Sequence, residues 1–271
     1  TYLQVENIRR VNLNALKGFT CDNYNLLRDL AHVEALTVPL KEKKSGPVPI
    51  EALENLQRLS STLNAPSEAV DLTCLPRLRS CALTWNTGMR SVFDCAALER
   101  LYLTGLKAPD ADALSALRSL KSLQLAHTSM TSLAPIAGTS TLERLDLKVA
   151  RQLESIEAVA GLPKLLCLYI AEAHKITSLE PVRHLKNLEA LILVDCGEID
   201  SLAPLADLIA LKAVCFSGAK TTIKDGDLSP LTQLPNLGML MFGARRHYSH
   251  KLTKKWSWDN FNTPDALLKA A

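Results

Sequence analysis

One spacing governs this chain: apolar residues at the first, fourth and sixth places of a short frame that keeps returning. The frame is cleanest as Leu98-Leu101-Leu103, Leu120-Leu123-Leu125, Leu142-Leu145-Leu147, Leu165-Leu168-Ile170 and Leu188-Leu191-Leu193. Looser copies precede it at Val33-Leu36-Val38, Leu56-Leu59 (with Ser61 in the third apolar place) and Leu78-Cys81-Leu83. Two more follow at Leu211-Val214-Phe216 and Leu237-Leu240-Phe242. The ten frame starts lie 20 to 26 residues apart. A period of that length marks small structural units stacked on one another, each unable to bury its apolar face alone.

Two companion signals keep the same beat. A further leucine stands three residues before most frames, as Leu30, Leu53, Leu75, Leu117, Leu162, Leu185, Leu208 and Leu234. Between frames a Ser-Leu-x-Pro segment recurs at Ser132–Pro135, Ser178–Pro181 and Ser201–Pro204, with Leu228-Ser229-Pro230-Leu231 as a variant. In a strand, residues two apart share a face, so the last two apolar places of each frame point into the stack and their neighbours point out. Proline donates no backbone hydrogen bond and suits a tight 3₁₀ or irregular return.

The combined signature, over residues 30 to 242, resembles the short leucine-rich repeats, roughly 22 residues long, of bacterial internalin-like proteins. That resemblance implies an α/β repeat solenoid, a horseshoe with a parallel concave β-sheet and short 3₁₀ or irregular convex segments. Repeats are expected over residues 33–242, an N-terminal capping segment over 1–32 and a C-terminal cap over 243–271. In the leading cap Tyr2, Leu3, Val5 and Ile8 are available to cover the first coil. In the trailing cap Trp256, Trp258 and Phe261 would cover Leu240 and Phe242, followed by a short helix opened by Thr263-Pro264-Asp265. At the position where such repeats carry a hydrogen-bonding Asn, only Asn64 and Asn86 match, with Cys196 able to substitute.

Composition narrows the function classes. The chain is 47% hydrophobic and 22% charged with a net charge of +3, the balance of an ordinary soluble protein rather than a disordered or strongly cationic one. No uninterrupted apolar run of about 18 residues suggests a membrane span. Seven cysteines without a CxxC pair read as reduced, partly buried thiols in a cytoplasmic protein. No phosphate-binding glycine loop, nucleophile elbow or HExxH zinc motif is present, so neither catalysis nor a cofactor is expected. His247 and His250 could share a metal ion, but no third ligand is near and flanking cations oppose it, so no metal is expected either.

The outward register carries the information about function. Its leading half is polar and basic, with Arg58, Arg100, Arg144 and Lys148 beside Tyr102, Gln124 and Asp146. Its trailing half is apolar, with Tyr169, Ile192, Val194, Cys215, Met239 and Met241. An exposed apolar patch marks contact with something, either a partner or the chain's own C-terminal segment. Ten strands make a sheet on the order of 45 Å long, enough to bury a standard interface of about 800 Å² per partner. The leading expectation is a monomeric, non-catalytic module that binds another protein on this face. Its size and short repeats resemble bacterial inhibitor or toxin-immunity proteins, which implies a toxin or enzyme as the partner. Two other classes stay open. One is a secreted or surface adhesion or effector module. The other is association with nucleic acid through Arg245, Arg246, Lys251, Lys254 and Lys255 with Tyr248, Trp256 and Trp258 interleaved.

Overall fold

The computed structural model describes residues 8–13, 25–38, 49–61, 69–252 and the backbone of 268–270. The described chain divides into two compact units, Thr1–Leu106 with Ala116–Ser122, and Lys107–Ser115 with Leu123–Ala271. In the first unit lie β1 (Arg10–Asn12), β2 (Ala35–Val38), β3 (Arg58–Ser61), β4 (Ser80–Thr84) and β5 (Arg100–Thr104). They pair in parallel in chain order. After β6 (Ser122–Ala126) the second unit holds β7 (Arg144–Lys148), β8 (Cys167–Ala171), β9 (Ala190–Val194), β10 (Glu198–Ile199), β11 (Ala213–Ser217), β12 (Thr222–Ile223) and β13 (Met239–Phe242). Here β7, β8, β9, β11 and β13 are parallel neighbours in that order, and β10 pairs with β12 away from them.

The register follows the leucines. Leu145, Leu168, Leu191, Val214 and Leu240 stand opposite one another across five strands and are at most 1% exposed. The first residues of the frames and the leucines three places before them are buried too, so each coil contributes a full layer of aliphatic core. β1 extends this pattern. Ile8, Val11 and Leu13 form an eleventh copy of the frame, inside the segment read from sequence as a cap, and Val11 pairs with Leu36.

The return segments that carry the Ser-Leu-x-Pro motif or its variant are short turns, as the prolines required. Ala134–Ile136, Glu180–His184 and Ala203–Leu205 are 3₁₀ turns, and Ser229–Thr232 is one turn of α-helix. The serine of each motif has a physical task. Its hydroxyl accepts from the backbone N–H two residues on, at Ser132–Ala134, Ser178–Glu180 and Ser201–Ala203, with Ser155–Glu157 repeating it without the proline. Such a bond fixes the chain reversal before the turn begins. Asp227 does the same for Ser229.

Asparagine works at a place the sequence reading did not single out. Asn55, Asn187 and Asn236, each one residue before a frame, donate to the carbonyls of Ala31, Pro163 and Ile209 in the preceding coil. At the expected ladder position the Cys196 thiol donates to the Ile170 carbonyl at 3.2 Å. Among the described residues Asn86 reaches only the Thr84 carbonyl, and its amide oxygen has no partner. Asn64 lies outside the described residues.

Past β13 the chain folds against the last coils. Tyr248 is 3% exposed, packed edge-on against Phe216 and Phe242, which themselves stack at 4.9 Å. Its hydroxyl accepts from the Ile223 N–H at 3.0 Å. β14 (His250–Leu252) pairs antiparallel with β15 (Leu268–Ala270). The helix expected after Thr263 is therefore not what its described part forms, since 268–270 is extended. Tyr2, Leu3, Val5, Trp256, Trp258 and Phe261 lie outside the described residues, as does any cover they give.

Candidate partner-binding face

In the second unit the outward side chains form two rows across the strands. One runs Arg144, Cys167, Ala190, Ala213 and Met239, and the other Asp146, Tyr169, Ile192, Cys215 and Met241. Tyr169, Ile192, Val194, Met239 and Met241 are half-buried rather than exposed, and Cys215 is 2% exposed. This corrects the expectation of an open apolar patch. Parallel strands about 4.8 Å apart force same-face side chains flank to flank, so each shields its neighbours. What remains is a half-buried apolar surface. The large hydrophobics that stand out among the described residues, Leu166 and Ile209, are off these rows.

The polar end of that face is tied together. Arg144 donates from Nε and Nη2 to one oxygen of Asp146, at 3.1 and 3.0 Å. Asp146 was expected to face outward, yet it is 2% exposed, and its other oxygen, Oδ1, has no partner among the described residues. Opposite it, burial and then the Asp146 carboxylate push the Tyr169 hydroxyl's pKa up. Lys148 is exposed, with Nζ 5.9 Å from the centre of the Tyr169 ring, within cation–π range. Gln124 on β6 is half-buried between the buried Leu123 and Leu125.

In the first unit Arg58 and Arg100 are exposed and Tyr102 is half-buried. Ser80 separates the two arginines across the strands, and Ala82 lies between Ser60 and Tyr102. Arg10 joins the same row through Ala35. Sequence reading missed Arg10 because β1 carries no leucine until Leu13, leaving its frame without the strongest signal.

Chemistry beyond binding finds little to build on. Among the described residues no three His, Cys, Asp or Glu side chains are grouped to hold a metal. His247 contacts the Ile223 carbonyl through Nε2, and His250 contacts the Ser249 hydroxyl through Nδ1. Burial lifts the thiols of Cys95 and Cys196 to about 11, far from a reactive thiolate. No helix among the described residues is long and apolar enough to cross a membrane.

Known structures match this arrangement of coils. Internalin C2 from Listeria monocytogenes is 26% identical with a TM-score of 0.54, over 79% of this chain and 83% of its own. The chain folds as a leucine-rich repeat solenoid. The leucine-rich repeat domain of the type III effector XCV3220 (XopL) aligns at 17% identity and a TM-score of 0.54, over 91% and 81% of the two chains. The TLR13–ssRNA13 complex aligns at 21% and 0.60, over 89% of this chain and only 40% of that one. No protein-family model and no curated protein sequence matches this leucine-rich repeat chain.

Proposed function

We propose that this leucine-rich repeat chain is a non-catalytic binding module whose partner protein seats on the outward face of β7, β8, β9, β11 and β13. The observation that carries the reading is the row from Asp146 through Tyr169, Ile192 and Cys215 to Met241. Solvated polar residues are the default filling of an idle surface, whereas tyrosine and methionine are enriched at interfaces. Asp146 adds a specific demand. A buried carboxylate oxygen without a donor is costly, and a donor group from a partner would supply what the fold leaves missing.

The proposal extends to a monomeric stoichiometric binder in a reducing, cytoplasmic compartment, an inhibitor or toxin-immunity role being one form of it. The six described cysteines, all unpaired and only Cys74 exposed, support that compartment over an extracellular one. Nucleic-acid association through the basic C-terminal segment loses one of its stacking groups, because Tyr248 is committed to the core. The test is a photo-crosslinking residue placed at Ile192, and separately at Glu180 on an exposed turn, in cells of the source organism. A protein captured from Ile192 and not from Glu180 is the expected result. Equal capture from both, or capture from Glu180 alone, would remove the face from consideration.

A further inference from the structure

We infer that the first unit carries a separate site, a basic trough that takes an extended acidic segment of a partner protein with carboxylates three residues apart. The trough encloses about 400 Å³ over β1–β4. Arg10 and Arg58 rise from it on alternate strands, and Arg100 continues the row two strands further. Among the described residues none of the three guanidinium groups has a hydrogen bond or ion pair. Several other cations of this chain are paired with carboxylates. One register place away Arg9 meets Glu34 at 2.7 Å and Lys121 meets Glu99 at 3.4 Å. In the second unit Arg144 occupies the same repeat position as Arg58 and Arg100 and is held by Asp146. The face over β1–β5 has no carboxylate at either outward place of any strand. Three aligned, exposed guanidinium groups with no carboxylate at the outward places of these strands suit an anion from outside.

Spacing and floor decide which anion carrier fits. Arginines on alternate strands repeat about every 9.6 Å. A polyproline II segment turns once in three residues, about 9.3 Å, and so presents every third side chain on one side at nearly this interval. Its backbone makes no internal hydrogen bonds, and the floor offers Asn12, Thr37, Ser60 and Ser80 as donors and acceptors. A helix, whose backbone is already satisfied, would offer these four side chains no backbone partners. Single-stranded nucleic acid would need a series of stacking platforms, and Tyr102 is the sole outward aromatic on these strands.

The test uses the full chain and a fluorescein-labelled peptide of three Pro-Pro-Glu repeats, read by anisotropy. Its comparators are the same composition with the three glutamates adjacent, and a twelve-nucleotide oligothymidine. The repeating peptide should bind best, and more weakly as salt rises. Arg58→Gln should weaken it about tenfold, the value of one charge-assisted hydrogen bond, with an unchanged melting temperature. Arg28→Gln, which removes an exposed arginine of the same unit outside the trough, should leave binding as it was. Equal binding of the clustered peptide, tighter binding of the oligonucleotide, or indifference to Arg58→Gln would each overturn the inference. The assay involves no partner of the Tyr169 face, so failure here leaves that reading standing, and loss of the Ile192 crosslink leaves this one standing.

Discussion

Six residues that directly follow a strand adopt left-handed backbone: Gly105, His127, Val149, Glu172, Asp195 and Gly218. The chain must turn sharply there to leave the sheet, and each of these six coils repeats the turn seven residues after its frame begins. Glycine suits Gly218, where a Cβ would also collide with the Asp195 carboxylate. Val149 does not suit its place. An L-residue in this region costs about 1–2 kcal/mol, and a β-branched one is the worst choice. Val149→Asn should raise the denaturant midpoint, by up to about 1 kcal/mol in stability; a lower midpoint would mean that the half-buried valine packs better than the backbone suffers. The thiols give a second residue-scale prediction. Cys95 and Cys196, lifted by burial to about 11, stay protonated in the folded chain where the unfolded chain ionises near 9. The unfolded state then holds fewer protons, so their contribution to stability is complete below about 9 and falls as pH rises toward 11. Cys196→Ala should flatten that decline, and a thiol reagent at pH 8 should find Cys74 well before the buried set. Cys81, Cys95 and Cys196 were legible as small hydrophobes from their places in the repeat, whereas the exposed Cys74 and the buried Cys215, read as outward, were not. The left-handed column was not, because only two of its six members are glycine.

Elements show which parts of a coil are written in sequence. The inward strand positions are, since a one-residue slip would turn every leucine to solvent. The turns are too, through Ser and Pro at fixed offsets. What escaped is anything satisfied by a neighbouring coil: the asparagines one place before the frames, the orphaned Asp146 oxygen, and β1 with Arg10. These depend on which side chain stands about 23 residues away, and no local pattern announces it. The segment after β13 is similar, for its aromatics read first as a cap and only second as a nucleic-acid platform. Tyr248 decides part of that question by its hydroxyl bond to the Ile223 N–H. Tyr248→Phe keeps the ring against Phe216 and Phe242 but leaves that N–H without its partner. It should cost about 1–3 kcal/mol, seen as a lower melting temperature with an unchanged circular dichroism spectrum. An unaltered melt would mean that the hydroxyl is dispensable and the ring alone holds the segment.

At the scale of the whole molecule, a stack in which each coil touches mainly its neighbours makes its repeats separable parts. Removing residues 165–187 joins Lys164 to Leu188, one frame start for another, and deletes the coil that begins with β8. β9 would then lie beside β7, with Leu191 against Leu145 and Leu193 against Leu147, both pairs in the inward register. Arg151, which now binds Glu172 at 2.6 Å, would find Asp195 at the equivalent repeat position. The shortened chain should therefore fold and unfold cooperatively. Twenty-three residues at roughly 0.1 kcal/mol each predict a loss of about 2 kcal/mol, or several degrees in melting temperature. Removing only residues 165–176 deletes half a coil and leaves a return path without its frame, so that chain should not reach a folded state. The pair of deletions also separates scaffold from surface. The full-coil deletion keeps the aliphatic core continuous but takes Tyr169 out of the outward row and sets Asp146 directly beside Ile192. Any partner captured through Ile192 should be lost from this variant while its fold persists. Binding retained at full strength would mean that the partner reads another surface, and a chain that fails to fold would mean that this coil holds its neighbours by more than repeat contacts.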